Sequence, residues 1–295
     1  LNELAKRVSV AIFGIPLAII LILNGGVYFS FAILILSLVS MYEFQNLFAS
    51  KEIKINKLIS NTFNVSVFLL IIAFLNFKIS TFNPNWYIAV FHCIILIFAT
   101  IVYLNQLWSK EKEPILATAS TLFSFFYITI PFVSLLLIRN IELISLNINS
   151  ITTDNMFNPS KAGFIVLTFF ISIWSCDSFA YFIGRKYGKH KLFPRHSPKK
   201  SWEGAIAGFI GSILAFYILN IVFSINLKPI HSILLGTLIG ILGQMGDLFE
   251  SNLKRWAEIK DSSNLIPGHG GFLDRFDSII FTSPLILVYL ILVSL

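Results

Sequence analysis

Long apolar runs separated by short polar stretches dominate this chain, and the runs are continuous rather than alternating. Windows of about 19 residues place them near residues 8–23, 26–44, 62–79, 86–104, 115–138, 162–183, 203–225, 230–249 and 279–295. Continuous runs of this length predict membrane-spanning α-helices. Barrel strands would be about half as long and would alternate polar with apolar positions. The expected fold is therefore an all-α, polytopic integral membrane protein with about nine transmembrane helices.

Composition agrees with this reading. The 295 residues are 56% hydrophobic and only 13% charged, with 30 Phe, and the mean hydropathy is +0.80; a water-soluble globule carries roughly 25% charged residues. Abundant aromatics exclude disorder, and the two cysteines, Cys93 and Cys176, both lie in apolar runs and form no disulfide framework. The net charge of +7 does not imply nucleic acid, because the basic residues sit in short loops between the runs instead of covering one soluble face.

Those loops predict orientation, since Lys and Arg concentrate on the cytoplasmic side. With the N-terminus inside, the inner set is Lys6 and Arg7; Lys51, Lys54 and Lys57; Lys110 and Lys112; the seven bases from Arg185 to Lys200; and Lys254, Arg255, Lys260 and Arg275. Only Lys78, Arg139, Lys161 and Lys228 fall outside. An N-in, C-out arrangement follows. The first run has no cleavage site after it and is expected to be retained.

The two halves differ in chemistry. Residues 1–140 hold spans with almost no ionisable groups; Glu43 and His92, near span ends, are expected to snorkel to the interface or to make a satisfied polar contact. Residues 145–160 are expected to form a loop on the far side. Residues 141–295 concentrate acids, bases, glycines and prolines at helix ends. Two small-residue stripes, Gly204-Gly208-Ser212-Ala215 and Gly236-Gly240-Gly243, predict close helix approach within one subunit or between two.

Three clusters could do chemistry. Asp177 lies inside the run 169–183, where a carboxylate needs a cation, a metal or water beside it. The loop from Gly184 to Gly204 offers Lys200 and the hydroxyls of Ser197 and Ser201 to a phosphate, next to the positive end of a helix; its other lysines suit anionic headgroups. The densest cluster runs from Gly246 to Asp277. Asp247, Asp274 and Asp277 bring hard oxygen ligands of the kind Mg²⁺ prefers when it is shared with phosphates. Lys254, Arg255 and Lys260 lie between them, and His269, Gly270 and Gly271 permit a tight turn. No Cys or His set suits zinc. These residue types suggest a metal-bound polyphosphate, although a salt-bridged loop or an ion-coupled transporter could also contain them.

Their order is more specific. Ser251-Asn252-Leu253-Lys254-Arg255, Lys260-Asp261 and Pro267-Gly268-His269-Gly270-Gly271-Phe272-Leu273-Asp274-Arg275-Phe276-Asp277 resemble the complete signature of phosphatidate cytidylyltransferases, the CDP-diacylglycerol synthases. Asp177-Ser178-Phe179-Ala180-Tyr181 and Ser197-Pro198-Lys199-Lys200-Ser201-Trp202-Glu203-Gly204 are also similar, with Ser201 where Thr is usual. The resemblance covers roughly 174–278. It implies transfer of CMP from CTP to phosphatidic acid at the inner leaflet of a bacterial cytoplasmic membrane, giving CDP-diacylglycerol and pyrophosphate. It implies Mg²⁺ on Asp247 and Asp274, with Asp277 as a further ligand or as orienter of Arg275, and Asp177 ordering a second metal ion or a lysine. Lys200, Ser197, Ser201, Lys254, Arg255 and Lys260 are expected around phosphates, with His269, Gly270 and Gly271 closing over them. The implied partners are CTP, phosphatidic acid and membrane lipids, with no nucleic acid, and the stripes leave room for a homodimer. Residues 1–140 would then form a scaffold with lipid access, and 141–295 the catalytic region carrying the signature at 251–277.

Overall fold

The computed structural model describes residues 3–76, 84–109, 111–141, 161–194, 197–266, 268 and 270–294. The expected loop at 145–160 lies outside them, as do Lys78 and His269.

Helices dominate, in chain order α1 (Glu3–Asn24), α2 (Gly26–Ala49), α3 (Lys57–Asn76), α4 (Pro84–Leu107), α5 (Pro114–Ser124), α6 (Ile130–Arg139), α7 (Ala162–Tyr187), α8 (Trp202–Val222), α9 (Pro229–Trp256) and α10 (Leu273–Ser294). Among the described residues, seven helical stretches are long and apolar enough to cross a membrane. They are α2, α3, the α5–α6 unit and α7 to α10. The apolar parts of α1 and α4, Val8–Asn24 and His92–Leu107, are shorter.

Two departures from uniform α-helix stand out. Residues Lys191–Phe193 (β1) and Ser197–Ser201 (β2) pair as an antiparallel hairpin between α7 and α8. Extended chain is stable there because the polar, proline-containing loop is tied to α8: Trp202 donates to the His190 carbonyl at 3.0 Å, and the His190 ring lies 2.7 Å from Glu203. The second departure is a π-helical turn, Phe125–Thr129, which joins α5 to α6. Pro131, one residue beyond Ile130, has no N–H to return to the preceding turn, so the wider turn takes up the mismatch.

The interior is built largely from α2, α6 and α7, where Met41, Phe44, Phe132, Leu135, Val166 and Phe169 are fully buried. The outer helices invert the usual pattern. On α8, Ile206, Ile210, Leu214, Ile218 and Ile221 are exposed, whereas Gly204, Gly208, Gly211 and Ser212 are buried. In lipid the bulky residues gain nothing by turning inward, and small residues let backbones approach. A Cβ on Gly208 would stand 2.7 Å from the Cys176 carbonyl oxygen, and one on Gly236 2.6 Å from the Ile213 Cα. The stripes thus act within one subunit. Gly243 departs from its stripe: its neighbours are Ser278 and Thr282 of α10, while Gly236 and Gly240 face α8.

Alternating helices bring the basic loops to one end. Lys51, after α2, pairs with Glu258, after α9, at 2.6 Å, and this hydrogen-bonded ammonium holds the Glu258 carboxyl below its usual range. Lys54 pairs with Glu111, before α5. At the opposite end Arg139 donates to the carbonyls of Ile22 and Leu23, capping α1. The ends of α7 and α9, the hairpin and the start of α10 all share the basic end, where the acidic cluster lies.

Candidate active site

α10 begins at Leu273, six residues earlier than the apolar run alone suggests, so Asp274 and Asp277 occupy its first turns instead of a loop. They lie one turn apart on one face. Opposite them, α9 supplies Asp247 and Lys254, and α7 supplies Asp177. Together with Trp174, Asp261, Arg275 and Ser278 these side chains line a single cavity of about 320 Å³. Five acids and two bases thus surround one water-accessible space at the basic end of the bundle.

Lys254 is the hub. Its ammonium lies 2.6 Å from Asp274 and 3.3 Å from Glu250, with only 13% of the side chain exposed. Glu250 is fully buried, so the lysine compensates two carboxylates that desolvation would otherwise penalise heavily. Asp274 is engaged on both oxygens. Oδ1 takes Lys254, while Oδ2 accepts from the backbone N–H groups of Ser262 (3.0 Å) and Gly271 (2.8 Å) and from the Ser262 hydroxyl. Asp247 pairs with Lys200, which is held at the start of α8 by β2. Asp277 accepts from the backbone N–H of Ser278. Asp177 opens onto the cavity as an exposed side chain.

No three acidic or histidine side chains among the described residues stand close enough together to hold one metal ion by themselves. Mg²⁺ does not require that. It usually takes one or two carboxylates, keeps several waters and completes its shell with substrate phosphates. Carboxylates facing one open cavity from three helices fit that mode of binding.

The glycines of the turn have a steric reason. Gly270 has φ +84° and bridges to Ile266, a conformation that disfavours a Cβ. A Cβ on Gly271 would collide with the Ser262 hydroxyl and the Glu43 carboxylate.

Other expected residues lie away from the cavity wall. Ser201 is buried and caps α8 by accepting from Gly204 N–H at 3.2 Å, and Ser197 pairs with Phe193 in the hairpin. Arg255 is exposed and donates to the Ile259 carbonyl; Lys260 is exposed as well.

Glu43, expected to be interfacial or in a satisfied polar contact, is the second of these, with partners far along the chain. It is fully buried, and its carboxylate reaches the signature segment more than 200 residues away. It accepts from the hydroxyls of Ser262 and Ser263 and from the backbone N–H groups of Phe272 (3.0 Å) and Leu273 (2.7 Å). The available signal was the acid itself, since a carboxylate in an otherwise apolar helix must have partners somewhere.

The fold and site together define an α-helical membrane protein with a charged cavity at one end of its bundle. A model of the cytidylyltransferase family matches residues 5–293. A protein of Aquifex aeolicus named phosphatidate cytidylyltransferase is 33% identical over 232 residues, covering 74% of this chain and 80% of the relative. Bacillus subtilis and Thermotoga maritima proteins of the same name are 44% and 42% identical over 124 and 125 residues. These shorter matches cover 42% and 41% of this chain and 46% and 45% of those relatives, so the chain spans about half their length. The chain belongs to the cytidylyltransferase family.

Proposed function

We propose that this protein is a phosphatidate cytidylyltransferase, transferring CMP from CTP to phosphatidic acid with release of pyrophosphate. The observation that carries the reading is the convergence of Asp177, Asp247, Lys254, Asp274, Arg275 and Asp277 on one cavity at the basic end of the bundle.

The chemical problem is to bring one phosphate anion to the α-phosphorus of another polyanion. Asp247 and Asp274, with Asp277 beside them, are the residues that would hold Mg²⁺. When bound, Mg²⁺ supplies Lewis-acid neutralisation of the phosphates. Lys200, Lys254 and Arg275 supply fixed positive charge around the same space, stabilising charge as it passes to the leaving pyrophosphate. The phosphate monoester is largely ionised near neutral pH, with a second pKa of about 6, so no protein base is needed to activate it. What the chain must provide is alignment for in-line attack. Gly270 and Gly271 keep the turn before Asp274 compact, and the exposed Arg255 and Lys260 add positive charge that attracts anions to this end of the molecule.

Within this reading the chain makes nine crossings, N-in and C-out, in a bacterial cytoplasmic membrane, with the site on the inner side. Residues 1–140 serve as scaffold and lipid access, and residues 141–295 as the catalytic region. Phosphatidic acid arrives from the bilayer with its headgroup at the level of Asp177 and Trp174.

The test is incubation of purified protein with CTP, defined phosphatidic acid and Mg²⁺, followed by mass spectrometry of the lipid. CDP-diacylglycerol, with label retained from α-labelled but not γ-labelled CTP, is expected. Label from γ-phosphate in the lipid would instead make the protein a kinase and overturn the reading.

A further inference from the structure

The start of α10 has no cap of its own. The residues before it, Gly270-Gly271-Phe272, carry no side-chain oxygen, yet a helix begins with backbone N–H groups that need acceptors. Glu43 of α2 supplies the acceptor from outside. Its carboxylate takes the N–H groups of Phe272 and Leu273, at the positive end of the helix dipole. The same carboxylate takes both serine hydroxyls of the preceding loop. Ser262 also touches Asp274 through its N–H and its hydroxyl, so Glu43 and Asp274 hold the loop from opposite sides. No lysine, arginine or histidine forms a salt bridge with Glu43 among the described residues; its charge is met by these donors.

We infer that Glu43 is a positioning residue for the transfer reaction, fixing the angle at which α10 presents Asp274 and Asp277 to the cavity. This rests on the proposed cytidylyltransferase activity and deepens it, because it makes a helix of the N-terminal scaffold part of the catalytic alignment. The carboxylate is irreplaceable as an acceptor: a glutamine of equal size turns one of its two oxygens into a donor that opposes N–H and O–H groups.

The experiment compares wild type with Glu43→Gln in the full chain, by steady-state kinetics and by amide hydrogen exchange. A displacement of about 1 Å at the reacting groups costs roughly 100-fold in rate, so kcat should fall by about that factor while the KM for phosphatidic acid is unchanged. Exchange should rise in 262–274 and stay at the wild-type level in α8. Wild-type kcat in Glu43→Gln, or loosening of all helices together, would overturn the inference. Should Glu43→Gln fail to insert, a Ser262→Ala/Ser263→Ala double variant reads the same clamp from the other side, with the same kcat loss, constant KM and local exchange expected; wild-type kinetics and exchange there would overturn it. If wild type makes no CDP-diacylglycerol, the proposed activity falls. The exchange measurement then decides separately whether Glu43 holds the loop.

Discussion

At the scale of single residues, Lys254 carries the heaviest electrostatic duty in the site. Its ammonium stands between Glu250 and Asp274, side chains that are 0% and 8% exposed. Removing it leaves two carboxylates facing each other in a poorly solvated space, and breaking a buried pair costs about 3–5 kcal/mol. Lys254→Ala is therefore expected to lower stability by about that amount, measured as thermal unfolding in detergent, and to abolish turnover. Adding Glu250→Gln should recover part of the stability but none of the activity. An additive loss in the double variant would mean that the two residues do not share one electrostatic unit. Much of this site was legible beforehand, because Asp247, Lys254, Asp274 and Asp277 stand at short, ordered spacings beside glycines. Glu43 was not legible as part of it. Its contact to Leu273 spans 230 positions, and no local periodicity encodes a meeting between the first and last thirds of a chain. Ser201 illustrates a different ambiguity: a hydroxyl at a helix start suits a phosphate and a cap equally well, and only geometry assigns it to Gly204 N–H.

At the scale of helices, the apolar pattern located the helices closely but not their edges. α10 extends back to Leu273 because its first turns are polar and contribute nothing to a hydropathy window. The hairpin β1–β2 was invisible for a related reason, being short and lysine-rich with its register set by contacts to α8. Glycine stripes, by contrast, translated directly into packing. Gly208→Ala places a methyl group against the Cys176 carbonyl and the Ala180 side chain, and overpacking of this kind costs about 1–3 kcal/mol. Gly14 of α1 has nothing within 4 Å of a built Cβ. Gly14→Ala should leave the unfolding temperature unchanged or slightly raised, since alanine favours helix over glycine, whereas Gly208→Ala should lower it. Equal responses would mean that the α7–α8 interface is looser than described.

At the scale of the whole molecule, the loops sort by charge between the two ends, with Lys51, Lys54 and the hairpin lysines at one end and Arg139 and Lys161 at the other. The proposed topology makes the first end cytoplasmic. In a Cys93→Ser background, Lys199→Cys should react with an impermeant maleimide only after cells are permeabilised, and Lys228→Cys should react in intact cells. The reverse pattern would invert the topology and put the cavity on the side where CTP is absent. The expectation of sidedness rests on loop composition, which the sequence states directly. The convergence of α7, α9 and α10 on one cavity depends on which helices are neighbours, and that is written nowhere locally.

The wide turn at Phe125–Thr129 has its own consequence for this architecture. It carries one surplus residue per turn, so the surfaces on its two sides are out of phase by about 100°. Upstream, Ser124 faces Ser60 of α3; downstream, the Pro131 carbonyl accepts from Ser283 of α10. Excising a single amino acid there would swing one half of the rod about its long axis and break one of these two attachments, whereas the same excision in a terminal tail would cost nothing. Length variation among natural versions of this protein should therefore avoid this turn.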